Sequence, residues 1–195
     1  MDPLLAAARR LAQAGVWAGG LLLLLAAFLI GVEVLARRLL NISLGGVDDL
    51  AGFVLAVATA WALPLALLDR AHIRVDTLYI ILPRWVAAVL DILGILALIV
   101  FFGFVTWYGW GVMALSWRLG AMPLSALALP LWIPQLLWIL GLIVFLLVAA
   151  LLLVRAVILL CGGDAGRVRA LLGSRSISEE TDEELREAQR RREGP

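Results

Sequence analysis

The chain has 195 residues, of which 64% are apolar and 16% charged, against roughly 45–50% and 25% in soluble domains. A soluble fold of this size cannot cover that much apolar surface, so the composition predicts one membrane domain with a short polar tail. The net charge of +1 provides no field suited to nucleic acid. One Cys (Cys161) and one His (His72) exclude an internal disulfide, a CxxC redox pair, a bis-histidine haem and a His-rich metal site.

Four apolar runs dominate, at about 14–36, 49–68, 85–110 and 131–160. Each is near or above the ~20 residues a helix needs to cross a ~30 Å hydrocarbon core. The expected fold is therefore an all-α membrane protein: four transmembrane helices plus short interfacial helices, with a membrane domain over 1–163 and a polar tail over 164–195. Arg9 and Arg10 ahead of the first run look like the start of a signal peptide. The run is longer than a signal-peptide core and has no small-x-small cleavage site, so it reads as a retained first span.

The basic residues, all Arg, set the orientation. Nine lie close to the spans on the side of the two termini: Arg9, Arg10, Arg70, Arg74, Arg84, Arg155, Arg167, Arg169 and Arg175. Three lie on the other side: Arg37, Arg38 and Arg118. The positive-inside rule then places both termini in the cytoplasm.

The first span ends in Val32-Glu33-Val34-Leu35-Ala36-Arg37. Glu33 precedes Arg37 by four residues, the favourable order for a helical ion pair. The pair reads as a local helix-end contact, as a contact to a partner subunit, or as an ion site. Gly45-Gly46 is a turn signal, and Asp48 or Asp49 is placed to cap the second span and meet its dipole. Pro64 is expected to kink or end that span.

The second loop, Asp69-Arg70-Ala71-His72-Ile73-Arg74-Val75-Asp76, alternates charges with apolar residues and is suited to lie on the membrane surface. Within it, His72 reads as a solvated histidine or a docking residue, and Asp76 is placed to cap a short interfacial helix over 77–82. Asp91 falls about 9 Å into the third span from Trp85. A carboxylate at that depth faces protein or water, or snorkels.

From 111 to 130 the apolarity is interrupted, which suggests a second interfacial helix. The fourth span opens Leu131-Trp132-Ile133-Pro134, with Trp132 as a headgroup anchor and Pro134 in a tolerated first-turn position. Most of the eight Trp fall at span ends, whereas Trp61 and Trp138 lie deeper and are suited to packing. Gly15-x-x-x-Gly19 is a small-xxx-small pair that admits a close helix. Beyond Gly163 the chain turns polar and reads as a solvated extension.

Four pieces recur together in one family. They are Val32-Glu33-Val34-Leu35-Ala36-Arg37; the Asp48-Asp49 pair; Ala71-His72-Ile73-Arg74-Val75-Asp76; and Leu127-Ala128-Leu129-Pro130-Leu131-Trp132-Ile133-Pro134 with Gly141 following. On these the chain, over about 14–160, resembles the small membrane subunit (DctQ-type, or Q subunit) of the tripartite ATP-independent periplasmic (TRAP) transporters. The family's first-span acid is often Asp, where this chain has Glu33.

The resemblance implies a multi-pass protein of the bacterial inner membrane that is not an enzyme and carries no cofactor, catalytic residue or metal. It implies as partners a large membrane subunit, a periplasmic solute-binding protein and membrane lipids. The large subunit would carry an organic acid inward by a sodium-driven elevator motion, with this chain as its scaffold. Glu33, Arg37, Asp48, Asp49, His72, Arg74, Asp76, Asp91, Trp132 and Pro134 are the candidate interface or structural residues. A second reading is a self-sufficient four-helix proton-coupled transporter working as a homodimer through Glu33. A third, a redox or enzyme subunit, is disfavoured by the single His and Cys.

Overall fold

The computed structural model describes residues 3–43, 45–69, 83–126, 128–162, 166 and 171–172. Four long helices make up almost all of it: α1 (Pro3–Leu40), α2 (Val47–Leu68), α3 (Arg84–Leu119) and α4 (Trp132–Cys161). All four are long and apolar enough to span a membrane. At 38, 22, 36 and 30 residues they measure about 57, 33, 54 and 45 Å at 1.5 Å per residue. Only α2 matches a straight crossing of the hydrocarbon; the others tilt or project beyond it.

The helix ends follow local chain chemistry. Asn41 after α1 and Gly120 after α3 adopt positive φ, the left-handed conformation that stops a helix. Gly46 precedes α2 with φ 83°, and no side chain caps that helix. Asp48 and Asp49, expected as caps, instead occupy its first turn, where their charge meets the positive dipole end. Pro64 lies inside α2, which continues to Leu68. The interruption from 111 to 130 also resolves differently: α3 runs unbroken to Leu119. Among the described residues, 121–131 form turns and bends, with no helix between α3 and α4. Arg118 and Trp117 break the hydropathy but not the backbone hydrogen bonding.

The helices pack in the order α1–α2–α4–α3. Among the described residues α1 and α3 do not form a packed pair, so this is an open row with two edges, not a closed bundle. The edge spans are 17% buried over their most apolar windows, and α4 is 39% buried. Two tryptophans set the seams. Trp61 of α2 lies between two glycines: a Cβ on Gly15 of α1 would stand 2.8 Å from its Cε3, and one on Gly141 of α4 would stand 2.9 Å from its Cδ1. Its indole N–H donates to the Leu137 carbonyl of α4 at 3.0 Å. A Cβ on Gly141 would also lie 3.0 Å from the Ala60 carbonyl carbon. Pro64, which has no N–H, leaves that same Ala60 carbonyl without its usual helical donor. Trp138 of α4 sits over Gly109 of α3, where a Cβ would come 2.8 Å from its Cζ3.

At the end of the row where α1 begins and α4 ends, Leu67, Ala88, Ile95, Phe145, Ala149 and Ala156 form a buried cluster. Alanines there let α3 and α4 approach closely. Leu172, beyond α4, is buried in the same cluster.

Candidate subunit interface

Registration of α1 on α2 is fixed at three heights: Arg9 pairs with Asp69 at 2.6 Å, Gly15 meets Trp61, and Gly19 meets Ala58. The start of α2 therefore lies level with about residue 30 of α1, which runs on for about ten residues, roughly 15 Å. This projection carries Glu33 and Arg37. The Arg37 Nη2 donates to Glu33 Oε1 at 2.7 Å, as the i,i+4 spacing predicts. The Ser43 hydroxyl donates to the same oxygen at 2.8 Å from the returning chain. Glu33 is 4% exposed, while the Arg37 side chain is 61% exposed. The acid is thus held inside by two donors, and the guanidinium is left facing out. Next to this knot, Gly45 touches Ala126, where a Cβ would come within 2.9 Å of its Cβ, so the 120–131 segment reaches across to the α1–α2 turn.

Trp132 and Trp117 stack edge-on at 4.4 Å between ring centres and close this end of the α3–α4 seam. Pro134 is buried in the first turn of α4. Asp91 is fully buried, and its neighbours one turn away, Ala88 and Ile95, belong to the α3–α4 cluster. Of the snorkelling and protein-facing alternatives, the structure has the protein-facing one. Asp48 is exposed and Asp49 half-buried. His72, Arg74 and Asp76 lie outside the described residues, as does the interfacial helix expected over 77–82.

The seven described candidates do not converge on one point. Glu33, Arg37, Asp48, Asp49, Trp132 and Pro134 fall toward the loop end, and Asp91 lies toward the terminal end. Among the described residues no group of three or more His, Cys, Asp or Glu could hold a metal ion. The chain matches the family of DctQ components of tripartite ATP-independent periplasmic transporters over residues 26–159. The chain belongs to the DctQ family. The match runs from the middle of α1 almost to the end of α4 and includes all ten candidate residues. Membership makes it the small membrane subunit of a TRAP transporter, a multi-pass membrane protein that works with the other components of that system. Comparison with curated proteins and with solved structures gave no match.

Three features of this DctQ component escaped sequence reasoning. Ser43 is ten residues from Glu33 and carries no helical spacing signal. The Arg9–Asp69 pair spans 60 positions. Gln135 and Tyr108 line an intramembrane cavity between α3 and α4, although each alone reads as an ordinary polar residue near a span end. The Gly15-x-x-x-Gly19 pair and the deep Trp61 were the sequence signals for the seam of α1, α2 and α4.

Proposed function

We propose that this DctQ component is the stationary scaffold for the large membrane subunit of its transporter. In this reading the large subunit takes up an organic acid by a sodium-driven elevator motion, after delivery by a periplasmic solute-binding protein. Both termini lie in the cytoplasm and the row stands in a bacterial inner membrane. The observation that carries this reading is the open row: even its most enclosed helix has only 39% of its apolar window buried within the chain. A wall of this kind suits a fixed support, whereas a transport core is built around broken helices that cradle its substrate and ions. The four helices here are continuous.

Glu33 supports the scaffold over a proton carrier. It is tied by hydrogen bonds to Arg37 of its own helix and to Ser43 of the returning chain, partners that suit a structural anchor at the helix end. The exposed Arg37, with Asp48 and Asp49, is then available to the partner at the loop end, while His72, Arg74 and Asp76 of the second loop would serve it from the opposite end.

Co-expression with the large multi-span subunit tests the reading. The expected result is a stable complex that survives detergent extraction and size-exclusion chromatography. Failure of the intact chain to co-purify with that subunit would contradict it.

A further inference from the structure

α4 is flanked by α2 and α3, and together they form a trough. On the α3 side it is a cavity of about 580 Å³ walled by Phe101, Phe104, Tyr108 and Val112. On the α2 side it is a smaller hollow of about 130 Å³ beside Phe53 and Ala56. Gln135 and Trp138 line both and form the ridge between them. From Phe101 to Val112 the wall runs about 16 Å along the membrane. The opposite face has its own hollow against α1, lined by Ala18, Leu22 and Leu137 among others. Leu137 projects about 160° away from Gln135 on α4, so the two faces are separate.

Of these two faces, the trough combines apolar walls with a polar group that lacks a partner among the described residues. The Gln135 side-chain oxygen is buried and accepts no hydrogen bond among the described residues. Inside a bilayer a buried amide without a partner costs a substantial part of a hydrogen bond. Rotation about the last side-chain torsion, which is broad, turns the amide toward either hollow. An acyl chain fills an apolar trough but offers this amide nothing. A helix bearing a polar side chain satisfies both requirements, and ridges fit grooves at helix spacings of about 8–10 Å.

We propose that this trough seats one transmembrane helix of the large subunit, whose polar side chain hydrogen-bonds the Gln135 amide. The inference rests on the scaffold reading and adds the face and the anchoring residue. Exposed Tyr108 supplies a second polar group on the same wall.

The test uses the co-expressed complex with Cys161→Ser as background. Single cysteines at Phe104 and Val112 on the trough, and at Ala18 and Leu22 on the other face, are labelled with a photoactivatable cross-linker. The expected result is adducts to the large subunit from 104 and 112, and none from 18 or 22. Gln135→Leu is expected to reduce recovered complex about three- to eighteenfold, in line with intramembrane hydrogen bonds of about 0.6–1.7 kcal/mol, with partial rescue by Gln135→Asn. An intact complex with adducts only from 18 or 22 overturns the trough while leaving the scaffold standing. So do adducts from 104 and 112 only to lipid or to a second copy of this chain. Absence of any complex with the unlabelled chain overturns the scaffold reading and this seat with it.

Discussion

The two tryptophan seams use the same materials to opposite ends. Trp61 is gripped by glycines of two different helices, and its N–H is satisfied by a carbonyl of α4. Trp138 sits on one glycine, and the two together line a cavity. The first seam closes α1, α2 and α4 on one another. The second joins α3 to α4 yet leaves their loop-end half open. In a bilayer, where lipid tails are as apolar as leucine, close packing and hydrogen bonds hold helices together. The closed seam therefore holds the row, and the open one is left for an incoming helix.

The comparison breaks most severely at Gly141. A leucine there collides with Trp61 and with the α2 backbone at Ala60, which cannot swing aside. Gly141→Leu is expected to destabilise the chain by about 3 kcal/mol or more, read as a large fall in the thermal midpoint of the purified complex. Unchanged melting would mean the seam is not tight.

Next comes the tie at the loop end of the same region. Arg37→Glu removes a donor from Glu33 and places a second acid beside it, so weakened assembly with the large subunit is expected. Full recovery of complex in a pull-down would refute that role.

Gly109→Leu probes the open seam. Its clash is with the far edge of the Trp138 ring, which has the cavity to move into, so the expected cost is about 1 kcal/mol. A loss as large as that of Gly141→Leu would erase the distinction between the seams. The smallest effect is Trp61→Phe, which keeps a ring between the glycines and loses the bond to Leu137. About 0.6 kcal/mol is expected, measurable by chemical denaturation in detergent.

How much of this the sequence disclosed depended on the range of each interaction. α2 and α4 lie within two residues of the apolar runs expected for them. α1 and α3 extend further, 3–40 against 14–36 and 84–119 against 85–110. Charges such as Arg9, Arg37 and Arg118 end a hydropathy window, whereas a helix ends where Asn41 or Gly120 turns the backbone. The Glu33–Arg37 bond was legible because four residues place both on one helix face. Its third member, Ser43, was not, because it arrives through a turn. The order α1–α2–α4–α3 was beyond reach for the same reason: it depends on which glycine meets which tryptophan. Gly15-x-x-x-Gly19 marked a place for a close helix but not which helix fills it.

Transport in proteoliposomes tests the central claim most directly, comparing this chain alone, the large subunit alone, and both together with the solute-binding protein and a sodium gradient. The account predicts uptake only when both membrane subunits are present, and none from this chain alone at any proton gradient. Proton-driven uptake by the purified chain alone, abolished by Glu33→Gln, would contradict it.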